Sequence, residues 1–310
     1  MGAGHGHHGH HHGAVTATGR HRSVLAGVLV ISAVIFVLEV VGAVVSGSLA
    51  LLADAGHVLA DAGGVALALG AALLAARPAT GRRTFGWARV EILAAAVNGL
   101  VLAGMGVYVL IEGAGRLFRP AEVQPGGMAL FAMIGLIGNV AGVALLYRVR
   151  DASLNMRGAF LEVATDAATS VGVLVAAAVI ADTGFTRADA IVSIVIGLVI
   201  VPRALRLLHS AANVLLEAVP AEIDLGEIRA HVLALDHVHG MHDLHVYTIT
   251  SGLPILTAHV VVDDSCFLDG HAPQLLDALQ NCIAGHFDVE HSTFQLEPAS
   301  HAGHEHPGHV

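Results

Sequence analysis

Long apolar runs separated by short polar stretches fill the first two thirds of the chain. Residues 24–45 are interrupted only by Glu39, and residues 49–76 only by Asp54, His57 and Asp61. Residues 92–111 and 126–147 carry no charge, the latter with Asn139 inside, and residues 158–181 carry only Glu162 and Asp166. Each run has roughly the twenty residues that an α-helix needs to cross a bilayer. A sixth span over 188–208 is predicted on a shorter uncharged stretch. It requires Arg203 and Arg206 to sit at the membrane edge and reach for water. Beyond about residue 209 the pattern becomes mixed. A helical period over 223–235 is followed by strand-like stretches at 240–250 and 254–262, parted by Ser251-Gly252. Residues 271–287 are again helical. Residues 292–297 alternate, with Phe294 and Leu296 facing one way and Thr293, Gln295 and Glu297 the other. The expected fold is a six-helix α-helical membrane protein with a small C-terminal α+β domain, its helices on one face of a sheet. The expected divisions are 1–22, 23–208, 209–298 and 299–310.

Composition sharpens this picture. Of 310 residues, 55% are hydrophobic and 13% charged, with a mean hydropathy of +0.71. A soluble domain carries about a quarter charged residues. All 15 basic residues are arginine, and their placement orients the spans. With the N-terminus inside, the inner segments hold eleven (Arg20, Arg22, Arg77, Arg82, Arg83, Arg89, Arg148, Arg150, Arg157, Arg203 and Arg206) and the outer loops three (Arg116, Arg119 and Arg187). Basic residues concentrate on the cytoplasmic side, so both tails are expected there, in a multi-pass protein of the cell membrane. The N-terminus has no apolar run directly behind a basic start, so no cleavable signal is expected. The chain has 22 histidines, and imidazole is the commonest protein metal ligand. Histidine alternates with glycine in MGAGHGHHGHHH, and 299–310 is again His-rich; both read as metal-collecting tails. Cys266 and Cys282 form no CxxC and read as two small thiols in a reducing compartment. Lipid surrounds the spans, and no nucleic-acid partner is expected.

The candidate chemistry lies inside the membrane. His57 and Asp61 are spaced i, i+4 in the second span, and Glu162 and Asp166 repeat that spacing in the fifth. Each pair therefore shares a helix face. Ionisable groups within a span are rare unless they pair or bind something, and two such pairs are hard to explain by packing. Together they offer one imidazole and three carboxylates, enough for a four-ligand divalent metal site. Three close carboxylates cannot all stay ionised in low dielectric, so some hold protons until metal displaces them. Metal and protons then compete for the same atoms, which is the physical basis of exchange. Asp54, one turn before His57, reads as a supporting or gating residue.

The stretches SGSLALLADAGHVLADAGG, RTFGWARVEILAAAVNGLVL, SLNMRGAFLEVATDAATSVGVL and VHGMHDLHVYTITSGLPILTAHVVVDD resemble the cation diffusion facilitator family, of the bacterial zinc–cobalt–cadmium efflux type. The resemblance covers about residues 23–298. It implies a homodimer, export of divalent metal against protons, and a ferredoxin-like, metallochaperone-like cytoplasmic domain. The family's second-span His-x-x-x-Asp falls on His57 and Asp61. Its fifth-span His-x-x-x-Asp reads Glu162-x-x-x-Asp166 here, which trades a borderline nitrogen for a hard oxygen. Zinc stays the favoured cargo, with cadmium, cobalt, manganese and ferrous iron admitted by that change. A second site, built from loop histidines in some members, is expected to be missing, because the matching loop reads TFGWARVE. The resemblance also implies cytoplasmic ligands at His242 and His259, with Glu297 at a position that is acidic in some relatives. Metal there would relieve repulsion between two acidic domains and tighten the dimer.

Two functions compete on the sequence alone: a proton-coupled metal exporter moving its cargo by alternating access, and a membrane-tethered metal sensor or buffer that does not translocate. An enzyme is not expected, since the chain has no HExxH, no GxSxG and no phosphate-binding glycine loop.

Overall fold

The computed structural model describes residues 22–75, 77–150, 154–287, 289 and 291–302. The histidines of both predicted tails, apart from His301, lie outside the described residues. Six long helices come first: α1 (Arg22–Ser46), α2 (Leu49–Ala75), α3 (Val90–Phe118), α4 (Pro125–Tyr147), α5 (Leu154–Thr183) and α6 (Arg187–Leu215). All six are long and apolar enough to cross a membrane. The protein is a multi-pass membrane protein. The sixth helix continues past the apolar run to Leu215, because the residues after Arg203 are mostly good helix formers. Pro202 lies within it and has no N–H, so the carbonyl one turn back loses its helical donor.

The chain forms two compact units. One comprises the residues up to 69 together with 97–208, the other 70–96 together with 209 onward. The second unit therefore includes the loop between α2 and α3, which the sequence reading kept with the spans. Ties within that unit are specific: Glu91 accepts from Thr250 Oγ1 at 2.5 Å and Ser251 Oγ at 2.9 Å, and Arg89 pairs with Glu217 at 2.7 Å.

In the helical unit, α4 packs against α1 and α5. Small residues allow close approach between spans. A Cβ at Gly106 of α3 would stand 2.8 Å from Val201 Cγ2 of α6, and one at Gly42 would overlap the Phe131 ring. The start of α2 is fixed by a carboxylate from another helix. Asp189 of α6 accepts from Ser48 Oγ at 2.6 Å, Leu49 N at 2.9 Å and Ala50 N at 3.1 Å. Ser48 Oγ in turn accepts from Leu51 N, as an N-cap hydroxyl does. Arg116 of α3 reaches both Asp189 (3.6 Å) and the Gly47 carbonyl (2.7 Å). This junction sets the position of the helix that carries His57 and Asp61.

The C-terminal unit contains α7 (Leu225–Leu233), β1 (Val238–Thr248), β2 (Pro254–Val262), a 3-10 turn at Asp264–Phe267, α8 (Ala272–Phe287) and β3 (His291–Pro298). The short α9 (Ala299–Ala302) follows. The sheet order is β1-β2-β3; β1 and β2 are antiparallel, and β2 and β3 are parallel across α8. Ile228 and Val232 of α7 and Leu275, Leu279 and Ile283 of α8 bury against Val246, Leu256 and Val260 of the sheet. This is the expected α+β domain. The β1–β2 ladder has two irregularities. His237 (φ 68°) precedes a register shift between Val238 and Gly240, and Asp243 (φ 47°) lies within a shift between His242 and His245. Such bulges re-aim side chains out of the simple alternation. Cys266 is buried and Cys282 half-buried, and both are free thiols. Burial pushes the Cys266 thiol up from its ordinary value, in keeping with an inert core residue.

Candidate metal sites

The helix spacing brings His57, Asp61 and Asp166 together. Nε2 of His57 lies 3.3 Å from Asp166 Oδ1 and 3.7 Å from Asp61 Oδ2, and one ligand atom from each of the three residues falls within 4.8 Å of the others. His57 is 2% exposed and Asp166 4%. Among the described residues, neither ring nitrogen of His57 has a hydrogen-bond partner, nor does Oδ1 of Asp166. Buried polar atoms are normally satisfied, so these three are unfinished as a protein interior. A divalent cation is the partner whose demand they match: one imidazole and two carboxylates on two facing helices.

Glu162 is on the same face of α5 but outside that three-residue group. Its Oε1 lies 2.6 Å from Nη2 of Arg203, which also lies 3.0 Å from Asp61 Oδ1. Arg203 was expected to reach for water at the end of the sixth span. Instead it turns onto two carboxylates, in charge-assisted contacts that are stronger than hydrogen bonds between neutral groups. The cation between the two pairs of predicted ligands is thus a residue of the chain, and it offsets negative charge that the sequence reading assigned to protons alone. The position of Arg203, one helix turn inside the apolar edge, was the only sequence signal for it.

Asp54 does not face the cluster as a fourth ligand. It is fully buried and accepts from Thr169 Oγ1 at 2.5 Å and Ser170 Oγ at 3.0 Å, both on α5 just past Asp166. Asn139 of α4 donates to Ser170 Oγ at 3.3 Å. Asp54 therefore joins α2 to α5 one turn from His57. Glu39 is fully buried on α1 beside Gly135 of α4, and neither of its oxygens has a hydrogen-bond partner among the described residues.

The C-terminal unit holds a second cluster. His242 of β1 pairs across the ladder with His259 of β2, and their rings meet edge to face with centroids 5.1 Å apart. Beneath them Glu297 of β3, 1% exposed, lies 3.1 Å from His242 Nε2 and 2.7 Å from His259 Nδ1. Gln295 donates to the same carboxylate at 2.8 Å. The alternation of β3 placed Glu297 on the face away from Phe294 and Leu296, and the histidines bury it there. Asp243 was not among the sequence candidates. Its left-handed backbone and the bulge carry it into the group, so His242, Asp243 and His259 each offer a ligand atom within 4.8 Å of the others. Oδ1 of Asp243 is buried without a partner among the described residues. A strand read as strictly alternating sends Asp243 to the opposite face from His242.

A multi-pass membrane protein whose facing helices gather an imidazole and carboxylates that could hold a metal ion has the architecture of a metal-cation transporter. Residues 25–216 match the family model of the cation efflux transmembrane domain, and residues 220–299 match that of the cation efflux protein cytoplasmic domain. The chain is 42% identical to the metal cation efflux system protein CzcD of Cupriavidus metallidurans, over 96% of this chain and 91% of that one. It is 37% identical to the zinc transporter ZitB of Escherichia coli, over 86% and 84% of the two chains. It is 32% identical to the cadmium, cobalt and zinc/H(+)-K(+) antiporter of Bacillus subtilis, over 94% and 93%. A solved structure of the metal-bound C-terminal domain of the CzcD transporter matches 24% of this chain and 99% of its own, at 37% identity and a TM-score of 0.22. The chain belongs to the cation diffusion facilitator, or cation efflux, family.

Proposed function

We propose that this protein exports a divalent transition metal from the cytoplasm in exchange for protons, by alternating access around His57, Asp61, Glu162 and Asp166. The observation that carries this reading is the buried group of His57, Asp61 and Asp166, in which both His57 ring nitrogens and Asp166 Oδ1 have no hydrogen-bond partner among the described residues. Relatives named as zinc, cadmium and cobalt transporters support zinc as the favoured cargo, with cadmium, cobalt, manganese and ferrous iron as the alternatives that Glu162 admits. In this reading the metal sheds water and takes His57, Asp61 and Asp166, while Glu162 exchanges Arg203 for the ion. Protons arriving from the other side return the carboxylates to their metal-free state. Asp54 holds α2 and α5 in register while ligands change.

Residues 23–208 form the transporting part in this proposal, and residues 209–298 a cytoplasmic part that pairs two copies into a homodimer. The predicted tails, 1–22 and 299–310, collect metal at the inner face of the cell membrane. Occupancy of His242, His259, Asp243 and Glu297 regulates the pairing rather than the chemistry of transport. The deciding experiment is metal flux into inverted membrane vesicles across an imposed pH gradient. Uptake that follows the gradient and collapses with a protonophore supports exchange. Saturable metal binding without flux assigns the protein to the sensor or buffer class instead, and flux indifferent to the gradient assigns it to a passive path.

A further inference from the structure

A third group of metal-type side chains lies at the open end of the β1–β2 ladder, away from the turn. Asp263 follows β2 directly, and its N–H donates to the carbonyl of His237 at 3.0 Å, which closes the ladder. On this clamp, Oδ2 of Asp263 lies 2.8 Å from His237 Nδ1, and Oδ1 lies 2.5 Å from His239 Nε2. One carboxylate therefore holds two imidazoles, one on each oxygen.

The backbone departs from regular geometry at both histidines that make this contact. His237 adopts a left-handed φ of 68°, which a residue with a Cβ pays for sterically. His239 is the residue stepped over by the register shift between Val238 and Gly240. The Val238–Val262 pairing puts His237 opposite Asp263, and His239, two residues on, is its diagonal neighbour. The left-handed turn and the bulge together converge them. Local strain kept at a cluster of functional side chains points to a use for that cluster.

We propose that His237, His239 and Asp263 form a binding site for a divalent transition metal of the zinc, cobalt or cadmium type, distinct from the cluster of His242, His259 and Glu297. Two imidazoles and a carboxylate are a complete set of protein ligands for a four-coordinate ion whose fourth position is water. Ligand atoms around such an ion stand about 3.3 Å apart, given bonds of roughly 2.0–2.1 Å. The two contacts on Asp263 lengthen by less than about 1 Å to reach that spacing, and the two imidazoles, now on opposite carboxylate oxygens, swing toward each other to close around the ion. His271 stands at the rim, its ring centroid 5.7 Å from that of His237, with Nδ1 held 2.9 Å from Asp269 Oδ1. That contact fixes the tautomer that turns a lone pair outward from Nε2. His237 and His239 are exposed, so cytoplasm-facing metal reaches them without any rearrangement of the helices.

The test is histidine footprinting of the full-length protein in detergent, by diethylpyrocarbonate labelling and peptide mass spectrometry, with and without saturating zinc. Zinc protects His237 and His239 together if they ligate it. Equilibrium dialysis of the Asp263→Asn and His239→Asn variants then shows one zinc fewer per chain than the unchanged protein, while His242 and His259 remain protected. Labelling of His237 and His239 at the same rate with and without zinc, or a full zinc count in folded Asp263→Asn, overturns the site and leaves only an imidazole–carboxylate hydrogen-bond pair. Flux is not the readout, so the result stands apart from the transport proposal.

Discussion

Nη2 of Arg203 lies between two carboxylates, 2.6 Å from Glu162 Oε1 and 3.0 Å from Asp61 Oδ1. A metal ion binding to both Asp61 and Glu162 has to displace this guanidinium. Two unit charges 4 Å apart interact by about 4 kcal/mol at an effective dielectric of 20. The side chains of Arg203 and Glu162 are 34% and 41% exposed, so solvent screening cuts that figure substantially. Even a third of it is about tenfold in affinity. Arg203→Gln should therefore tighten zinc binding by about tenfold, measured by calorimetry on the purified protein. Maximal flux should fall, because release becomes slow. Weaker binding in Arg203→Gln would falsify the competition and make Arg203 a brace for the two carboxylates.

Loss of a single ligand should separate binding from folding. Asp61→Ala and Asp166→Ala each remove an anionic ligand from the buried cluster while leaving Asp54, Thr169 and Ser170 to join α2 and α5. Vesicle flux should drop to background in both, with elution volume and helical circular dichroism unchanged. Residual flux above a tenth of the original, an order-of-magnitude threshold for a lost metal ligand, would place the ion elsewhere.

Glu162 bears on selectivity. A histidine at that position brings a nitrogen ligand and removes the anion that Arg203 holds. Glu162→His should raise the preference for zinc over manganese, since imidazole suits zinc and carboxylate suits manganese. Competition flux with zinc, cadmium, cobalt, manganese and iron reads this directly. An unchanged order across the panel would mean that Glu162 does not touch the cargo.

Much of this arrangement was legible in the sequence because it is periodic. Six apolar runs predicted six helices, and i, i+4 spacing predicted that His57 meets Asp61 and that Glu162 and Asp166 share a face. The alternation of β3 put Glu297 on the face away from Phe294 and Leu296, and His242 and His259 stand over it there. What the sequence did not disclose depends on departures from periodicity or on long-range pairing. Asp243 joins His242 only because a left-handed residue and a bulge break the alternation of β1. Arg203 looked like an edge residue because hydropathy counts charges without knowing which way a side chain turns. Asp189 falls inside the predicted sixth span, and it caps a different helix far away in the chain, a pairing no local pattern announces.

The cluster in the C-terminal unit should act on assembly. Glu297 is buried beneath His242 and His259 and holds both, so removing the carboxylate leaves two imidazoles without their shared anion. Glu297→Gln and His242→Ala should lower zinc-dependent dimerisation, read by analytical ultracentrifugation with and without zinc. Flux at saturating zinc should remain, since neither residue lies in the spans. Loss of flux equal to that of Asp61→Ala would show that this cluster feeds the transport path directly.

Asp189 tests how strictly the proposed transport site depends on the start of its helix. Its carboxylate, 1% exposed, takes the Ser48 hydroxyl and the first two free N–H groups of α2, with Arg116 alongside. Asp189→Ala leaves the Ser48 hydroxyl and the Leu49 and Ala50 N–H groups without that buried acceptor, while Arg116 keeps Glu112 and the Gly47 carbonyl. Losing a cap and orphaning buried donors together cost on the order of 2–4 kcal/mol. Because α2 carries both His57 and Asp61, the start of the helix and the metal ligands should loosen together. Thermal unfolding of the purified protein should begin at a lower temperature, and zinc should bind more weakly although no ligand has changed. Asp189→Asn keeps an oxygen acceptor for the N–H groups but loses the charge facing Arg116, so it should fall between the two. If Asp189→Ala lowers the unfolding temperature but leaves zinc affinity intact, the junction stabilises the bundle without positioning the site, and the ligand geometry must be held by Asp54, Thr169 and Ser170 alone.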